Sequence, residues 1–309
     1  MVNERGISMS SANARRSGAM SDERIFDGIV NVVAGFILLL VLYPLLFVLS
    51  ASFSDPKMVM NGEMWLWPVG FTLAAYQEIL NYGMVWVGYK NTILYTVFGT
   101  VVNIALTTLA AYPLSRRDLP GRNAFMFLIT FTMFFHGGLI PTYLLVRDLG
   151  MVNTFWALIV PNAIATYNLI VMRTYFQTNI PWEIQEAAHM DGCSNAKLLT
   201  HIILPLSRPI LAVMVLFYAV GHWNSFFNAL IYLRNDALFP LQLVLREILI
   251  VSQSSFLDES GSFGLSEKLL LAESIKYALI IVASIPVLIM YPFVQQHFVK
   301  GVMIGSIKG

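Results

Sequence analysis

Charge, cysteine and the signatures of catalysis are all scarce in this chain. Only 12% of its 309 residues are Asp, Glu, Lys or Arg, against about a quarter in an ordinary soluble domain. The few charges cluster, so long stretches carry none. The single cysteine, Cys193, excludes a disulfide framework within the chain and argues against thiolate metal sites. His189 and His201 lie too far apart for metal-ligand spacing. No Gly-x-x-x-x-Gly-Lys-Ser/Thr loop is present, so the chain has no P-loop for ATP. Paired carboxylates and a nucleophile elbow are also missing from the apolar segments, which argues against catalysis. A net charge of +1 offers no footprint for nucleic acid.

What the chain has in abundance is apolar surface. It is 57% hydrophobic, with a mean hydropathy of +0.68, which marks an integral membrane protein. A spanning helix needs roughly 20 mostly apolar residues. Six segments qualify, at about 27–51, 89–112, 123–146, 153–172, 208–232 and 275–296. The expected fold is therefore an all-α membrane protein with six transmembrane helices. Pro44, Pro161, Pro286 and Pro292 fall within these segments, where neighbouring helices satisfy the freed carbonyls. No Asp, Glu, Lys or Arg occupies the middle of any of them; each would cost about 2.5–3.5 kcal/mol there. Residues 1–24 are polar and read as a disordered tail. The apolar run after them is too long for a signal peptide and lacks a small-residue cleavage site, so it reads as a retained first span.

Basic residues in the short loops set the orientation. Arg5, Arg15, Arg16 and Arg24 precede the first span, and Arg116, Arg117 and Arg122 follow the second. Arg173, Lys197 and Arg208 follow the fourth, and Lys300 and Lys308 lie in the last residues. The loop after the third span has only Arg147. The positive-inside rule then puts both termini in the cytoplasm. Two long segments face the other side. Residues 53–88 carry Trp65-Leu66-Trp67-Pro68 and an amphipathic stretch at Ala75–Leu80, as expected of a piece lying along the outer surface. Residues 233–274 are more polar and read as a flexible external loop.

The loop between spans four and five, about 178–207, has an organisation of its own. Pro181 suits the start of a helix, and Trp182 to Met190 read as that helix. Ile184, Ala187 and Ala188 share one face at i, i+3, i+4 spacing. Glu186 has no cation at i+4, which leaves its charge to a partner. Gly192 can take a left-handed conformation and stop the helix. Ser194 or Asn195 then caps a second short helix running to about Leu204, which Pro205 ends. By itself this also describes an amphipathic hairpin resting at the membrane interface.

The spacing is more specific than that. Glu186-Ala187-Ala188, three residues, Gly192, nine residues, then Ile202-Ile203-Leu204-Pro205 resembles the cytoplasmic coupling loop of ABC importer permeases. The chain is similar above all to their carbohydrate-uptake branch, which includes the smaller permease of the maltose importer. Asn153-Thr154-Phe155-Trp156 through Pro161 resembles the fourth span of that branch, and Trp223-Asn224-Ser225-Phe226-Phe227 its fifth. Val299-Lys300-Gly301 through Gly309 resembles its tail, and Phe135-His136-Gly137-Gly138 through Thr142 resembles a subgroup handling oligosaccharides of complex polysaccharides, uronides included. The likeness covers about residues 25–309.

The resemblance implies a type I ABC importer permease fold. It divides the chain into a tail at 1–24, a six-span domain at 25–299 and a cytoplasmic tail at 300–309. It implies a second permease subunit, two ATPase subunits that bind ATP and Mg, and an extracytoplasmic sugar-binding protein. The chain itself would bind no cofactor and hydrolyse nothing, and its surroundings would be membrane lipid. Glu186, Ala187, Ala188, Gly192, Ile202, Leu204 and Pro205 would form the surface that couples to the ATPase.

Sugars are held by aromatic faces and by amide or hydroxyl partners. Asn162, Tyr167, Asn168, Trp223, Asn224 and Asn228 are the candidates for a substrate path. Each could instead hold helices together, as buried Asn does in membranes. Asn224 and Asn228 share a helix face, whereas Trp223 points elsewhere. His136 and His222 lie within spans without an acid in the same span, so a proton relay has little support. A secondary transporter would show midplane charges or interrupted helices in matching halves, and neither is evident. A non-transporting scaffold would leave the hairpin spacing unexplained.

Overall fold

The structure is a computed structural model that describes residues 5–254, 275–289 and 292. Among these residues it is all-helical. Helix α1 spans Arg5–Ser52 and contains Pro44. The segment expected as a disordered tail is thus helical from Arg5. Its Ala, Met, Arg and Glu residues are good helix formers, and they extend a helix already nucleated by the apolar run. A short helix α2 (Pro56–Met60) is capped by Asp55, whose side chain accepts from Lys57 N. Helix α3 (Ala74–Asn81) covers the expected amphipathic stretch and buries Ala75 and Ile79, while Trp65 and Trp67 stay exposed.

Helix α4 (Gly83–Ser115) is the axis of the molecule. Its buried face carries Gly88, Asn91, Thr92, Tyr95, Thr96, Gly99, Thr100, Asn103, Thr107 and Ala111. Its exposed face carries Ile93, Val97, Phe98, Val101 and Leu109. A soluble helix shows the reverse. Where the surroundings are apolar, small and polar residues make the helix contacts and large apolar ones face outward. The stripe lets α7, α11 and α13 pack directly on α4.

Helices α5 (Arg122–Phe134) and α6 (Leu139–Asp148) meet at 112° across Phe135–Gly138. Gly138 takes a φ of 85° at that break, which a side chain would resist. Two 3-10 turns, Phe155–Leu158 and Val160–Asn162, precede α7 (Thr166–Asn179), with a bend of 53° between them. Helix α8 (Trp182–Met190) leads to α9 (Asn195–Leu198), a π segment (Leu199–Ile203) and α10 (Leu204–Leu206). Helix α11 (Arg208–Trp223) then leaves at 84°. Helices α12 (Phe227–Tyr232), α13 (Leu241–Ser254) and α14 (Ile275–Ile289) follow.

The described residues contain two helices long and apolar enough to cross a membrane, Phe26–Ser52 and Gly83–Ser115, or five such spans if each bent pair is one. Interruptions are therefore present where continuous helices were expected. The segment expected as the fourth span begins as 3-10 turns because Pro161 cannot donate to an α-helical ladder, and its helical part continues to Asn179. The region expected as a flexible external loop begins instead with ordered helix α13, with Leu241, Leu243, Val244 and Leu245 buried. The rest of that expected loop, residues 255–274, and the tail from Val299 lie outside the described residues.

Two apolar cores form, one toward each end of α4. The first gathers α3, α12, α13, α14, the first half of α4 and Trp223 at the end of α11; the second gathers the other end of α4 with α7, the hairpin and the start of α11. Polar side chains lie between them. At the first end, α4 grips the chain entering α13. Asn91 Nδ2 donates to the carbonyls of Ala237 (2.8 Å) and Phe239 (3.0 Å), Tyr95 donates to Leu238 (2.9 Å), and Leu241 N donates to Thr92 Oγ1 (2.8 Å). Gly88 is required there, since a Cβ would stand 2.9 Å from Leu241 Cα.

Candidate functional site

The hairpin at α8–α10 forms as its residues dictate. Pro181 precedes the first helical residue, and Gly192 takes a φ of 73° just after the helix ends. The Ser194 side chain caps α9 by accepting from Lys197 N. Pro205 does not terminate the second helix directly. The π segment before it widens the ladder, with Leu204 N donating to the carbonyl of Leu199. This accommodates the missing proline N–H, and the chain turns only at Ser207.

The faces of α8 differ from expectation in two ways. The buried residues are Gln185 and Ala188, with Ile184 half-buried, whereas Ala187 and Glu186 are exposed. Ile202 and Leu204 are half-buried against the second core, and Gly192 and Pro205 are exposed. Glu186 is also not without a partner, because the Trp182 indole Nε1–H donates to it. The outward surface is therefore Glu186, Ala187, His189, Met190, Asp191 and Gly192, with Met190 88% exposed. This is a small, partly apolar surface with two acids, Glu186 and Asp191.

Arg116, just beyond α4, holds this hairpin. Its guanidinium forms a two-pronged pair with Asp118 at 2.8 and 2.6 Å. It also donates to Asn195 Oδ1 (3.0 Å) and Tyr112 Oη (3.1 Å), and lies 5.7 Å from the centre of the Trp182 ring. His189 Nε2 sits 3.2 Å from both terminal nitrogens; arginine can only donate, so this nitrogen accepts. One side chain thus ties α4 to the start of α8, the end of α8 and the start of α9. The same pair pushes the Asp118 pKa below its usual value, chiefly through the hydrogen bonds from Arg116, and raises that of Arg116. In the sequence Arg116 stands out only as a basic loop residue. The one available signal was its position directly after the second span.

The six path candidates separate. Asn162, Asn168 and Asn228 line one cavity of about 250 Å³, together with Asn103, Tyr218, His222 and Ser225. Trp223 lies away from it, buried against α14, where its Nε1–H donates to the carbonyl of Ala283 at 3.0 Å. Asn224 is exposed and donates back to the carbonyl of Val220 within its own helix. Tyr167 is 58% exposed and does not line the cavity. Indole and amide thus serve helix contacts at Trp223 and Asn224.

Residues that sequence reasoning did not select hold the cavity open. Asn103 Nδ2 donates to the carbonyls of Asn162 (2.9 Å) and Ala163 (2.8 Å), at the break between the 3-10 turns and α7. Its Oδ1 lies 2.7 Å from His222 Nε2. Tyr218 Oη receives the N–H of Ala165 (3.3 Å) and is bonded to Thr107 Oγ1 (2.6 Å). The His222 ring lies against Gly99, where a Cβ would stand 2.3 Å from Nε2. Among the described residues no group of three or more His, Cys, Asp or Glu could hold a metal.

No protein-family profile matches the chain. It is 43% identical over 291 residues to the polygalacturonan/rhamnogalacturonan transport system permease protein YtcP of Bacillus subtilis (strain 168), covering 93% of this chain and 99% of that protein. It is 40% identical over 286 residues to Protein LplC of the same organism, covering 93% and 96%. A solved bacterial ABC transporter involved in the import of the acidic polysaccharide alginate matches with a TM-score of 0.80 and 35% identity, over 90% of this chain and 98% of that chain.

Proposed function

This chain belongs to the permease subunits of carbohydrate ABC transporters, and on that premise we propose that it forms half of an ATP-driven inward path for oligosaccharides built from uronic acids. Such a subunit is non-catalytic, and ATP hydrolysis belongs to a partner ATPase. The choice of uronide oligosaccharides rests on a relative named for polygalacturonan and rhamnogalacturonan and on the structural likeness to an alginate importer.

In this reading the chain crosses the membrane six times with both termini in the cytoplasm. The bent pairs Arg122–Asp148 and Phe155–Asn179 count as spans three and four, α11 with α12 makes the fifth, and α14 begins the sixth. Residues 1–24 and 300–309 are cytoplasmic segments flanking the permease domain. A second permease subunit completes the path. Two ATPase subunits hold ATP and Mg, and an extracytoplasmic binding protein delivers the sugar. The hairpin, about 178–207, docks on one ATPase through Glu186, Ala187 and Gly192. Ala188, Ile202, Leu204 and Pro205 keep the hairpin stiff and seated on the permease.

The observation that carries this is the union of an exposed small-residue surface at Glu186–Ala187 with an Arg116 anchor to α4. Movement of the hairpin then moves a spanning helix. Differential contact in two global states is what lets nucleotide binding shift the permease. The test is crosslinking from Ala187→Cys, in a Cys193→Ser background, within the assembled complex. Capture of an ATPase subunit, with reach that changes when ATP binds, is expected. A well-inserted complex that never yields this crosslink would refute the docking role. Uptake by the chain alone, driven by a proton gradient, would refute the ABC reading of its mechanism.

A further inference from the structure

The cavity beside the break in the fourth span is lined by polar groups without partners. Asn168 is only 7% exposed, yet its amide makes no hydrogen bond among the described residues. The side chains of Asn162, Ser225 and Asn228 also make none. Of these, Asn168 is buried, Ser225 and Asn228 are half-buried and Asn162 is exposed, so their polar atoms are open to the cavity and free to bind what enters it. Such a cluster calls for a polar occupant.

The network sets what His222 can offer. Asn103 directs its NH₂ at two carbonyls, so the atom facing His222 Nε2 is its carbonyl oxygen. Nε2 therefore carries the hydrogen. In the neutral ring Nδ1 is then an acceptor, and it has no partner among the described residues. Tyr218 is already engaged by Thr107 and Ala165. The lining contains no Asp, Glu, Lys or Arg, and Phe217 supplies an aromatic side chain. The volume of about 250 Å³ corresponds to about eight waters at ~30 Å³ each, which is the space of a single sugar ring.

We propose that this cavity is a subsite for one pyranose unit, in which His222 Nδ1 accepts from a ring hydroxyl and Asn168, Asn228 and Ser225 bind neighbouring hydroxyls. It reads the hydroxyl pattern of the sugar and not its carboxylate, because nothing in the lining would neutralise an anion. The proposal rests on the reading of the chain as a sugar permease. It adds that the acidic groups of a uronide are handled elsewhere in the complex.

The test uses the whole complex in proteoliposomes, with digalacturonate and its neutral methyl ester as probes. Asn168→Leu and Asn228→Leu are each expected to raise the half-saturating concentration for uptake about tenfold, as for one lost hydrogen bond. The rise should be equal for the two probes. Ser225→Cys, in a Cys193→Ser background, should react with a small maleimide and be protected by either probe. Asn228→Ser, which keeps a hydroxyl partner, should recover part of the loss. A rise confined to the acidic probe overturns the hydroxyl reading. Wild-type kinetics in both Leu variants, with no protection at Ser225→Cys, overturns the subsite. If the unmodified complex takes up neither probe, the uronide reading of the previous subsection fails instead.

Discussion

Two clusters brace the same helix by opposite means. At the hairpin end of α4, a charged side chain does the bracing: Arg116 binds Asp118, Asn195 and Tyr112 in a setting where Asp118 is half-exposed. Halfway along α4, neutral groups do it: Asn103 binds two carbonyls and the ring of His222. Water explains the difference. Where water reaches one partner, an ion pair keeps part of its solvation, as Asp118 does at 54% exposed beside an Arg116 side chain at 12%. Where water is excluded, an unmatched charge would be costly, and amides that satisfy one another are the affordable choice. The charged brace is partly solvated, and the neutral one is buried.

That contrast can be broken deliberately, most severely at its buried side. Gly99→Leu should be the largest effect. Even a Cβ would stand 2.3 Å from the His222 ring, and overpacking costs about 1–3 kcal/mol before the lost Asn103 bond is added. Loss of monodisperse complex on size-exclusion chromatography and of all uptake is expected; normal assembly would show that the two helices separate more easily than the geometry implies. Asn103→Leu comes next. It leaves two carbonyls and one imidazole N–H without partners, at about 1–3 kcal/mol for each. Thermal unfolding of the detergent-solubilised complex should fall by several degrees, with no dependence on salt.

Arg116→Ala should behave differently. Folding is expected to survive, while sugar-stimulated ATP hydrolysis falls about tenfold. Arg116→Lys should not restore it, because a point charge cannot reproduce the fork. Raising the salt to about 1 M, where screening reaches ~3 Å, should weaken coupling in the unmodified complex and have no further effect in Arg116→Ala. Gly192→Val forces a β-branched residue to a φ of 73°, at about 1–2 kcal/mol, and should reduce stimulated hydrolysis more mildly with the spans still inserted. Acid gives the smallest effect. The Asp118 pKa is lowered in the folded protein, so its contribution is present above the unfolded value of about 3.9. It is lost as pH falls through the lower folded value. Because the pair is partly exposed, the loss is small after solvent screening, and ATPase coupling assayed down to pH 4 should be unchanged on this account.

The hairpin was legible because its signals are local. A proline before the first turn, a glycine at positive φ and a serine cap act within a few residues of themselves, so Trp182–Met190 could be read directly from the chain. Its faces were less legible, because periodicity alone does not say which face is covered. Gln185 is buried where Ala187 had been expected. The cavity was half legible. Asn162, Asn168 and Asn228 were chosen by residue type, but so were Trp223, Asn224 and Tyr167, which the packing sends elsewhere. Asn103 and His222 lie over a hundred residues apart, and neither has a motif to announce the pairing.

Composition and spacing by themselves determined that this is a helical membrane protein and where its hairpin begins and ends. Those properties follow from transfer of side chains out of water and from backbone preferences that each residue carries with it. Only the tertiary structure decided which polar groups would meet, that spans would break at Phe135–Gly138 and near Pro161, and that one arginine would hold the hairpin to α4. The physical reason is that a polar side chain among apolar neighbours takes whichever partner the packing brings within about 3 Å, and that partner is set by how helices distant in the chain cross.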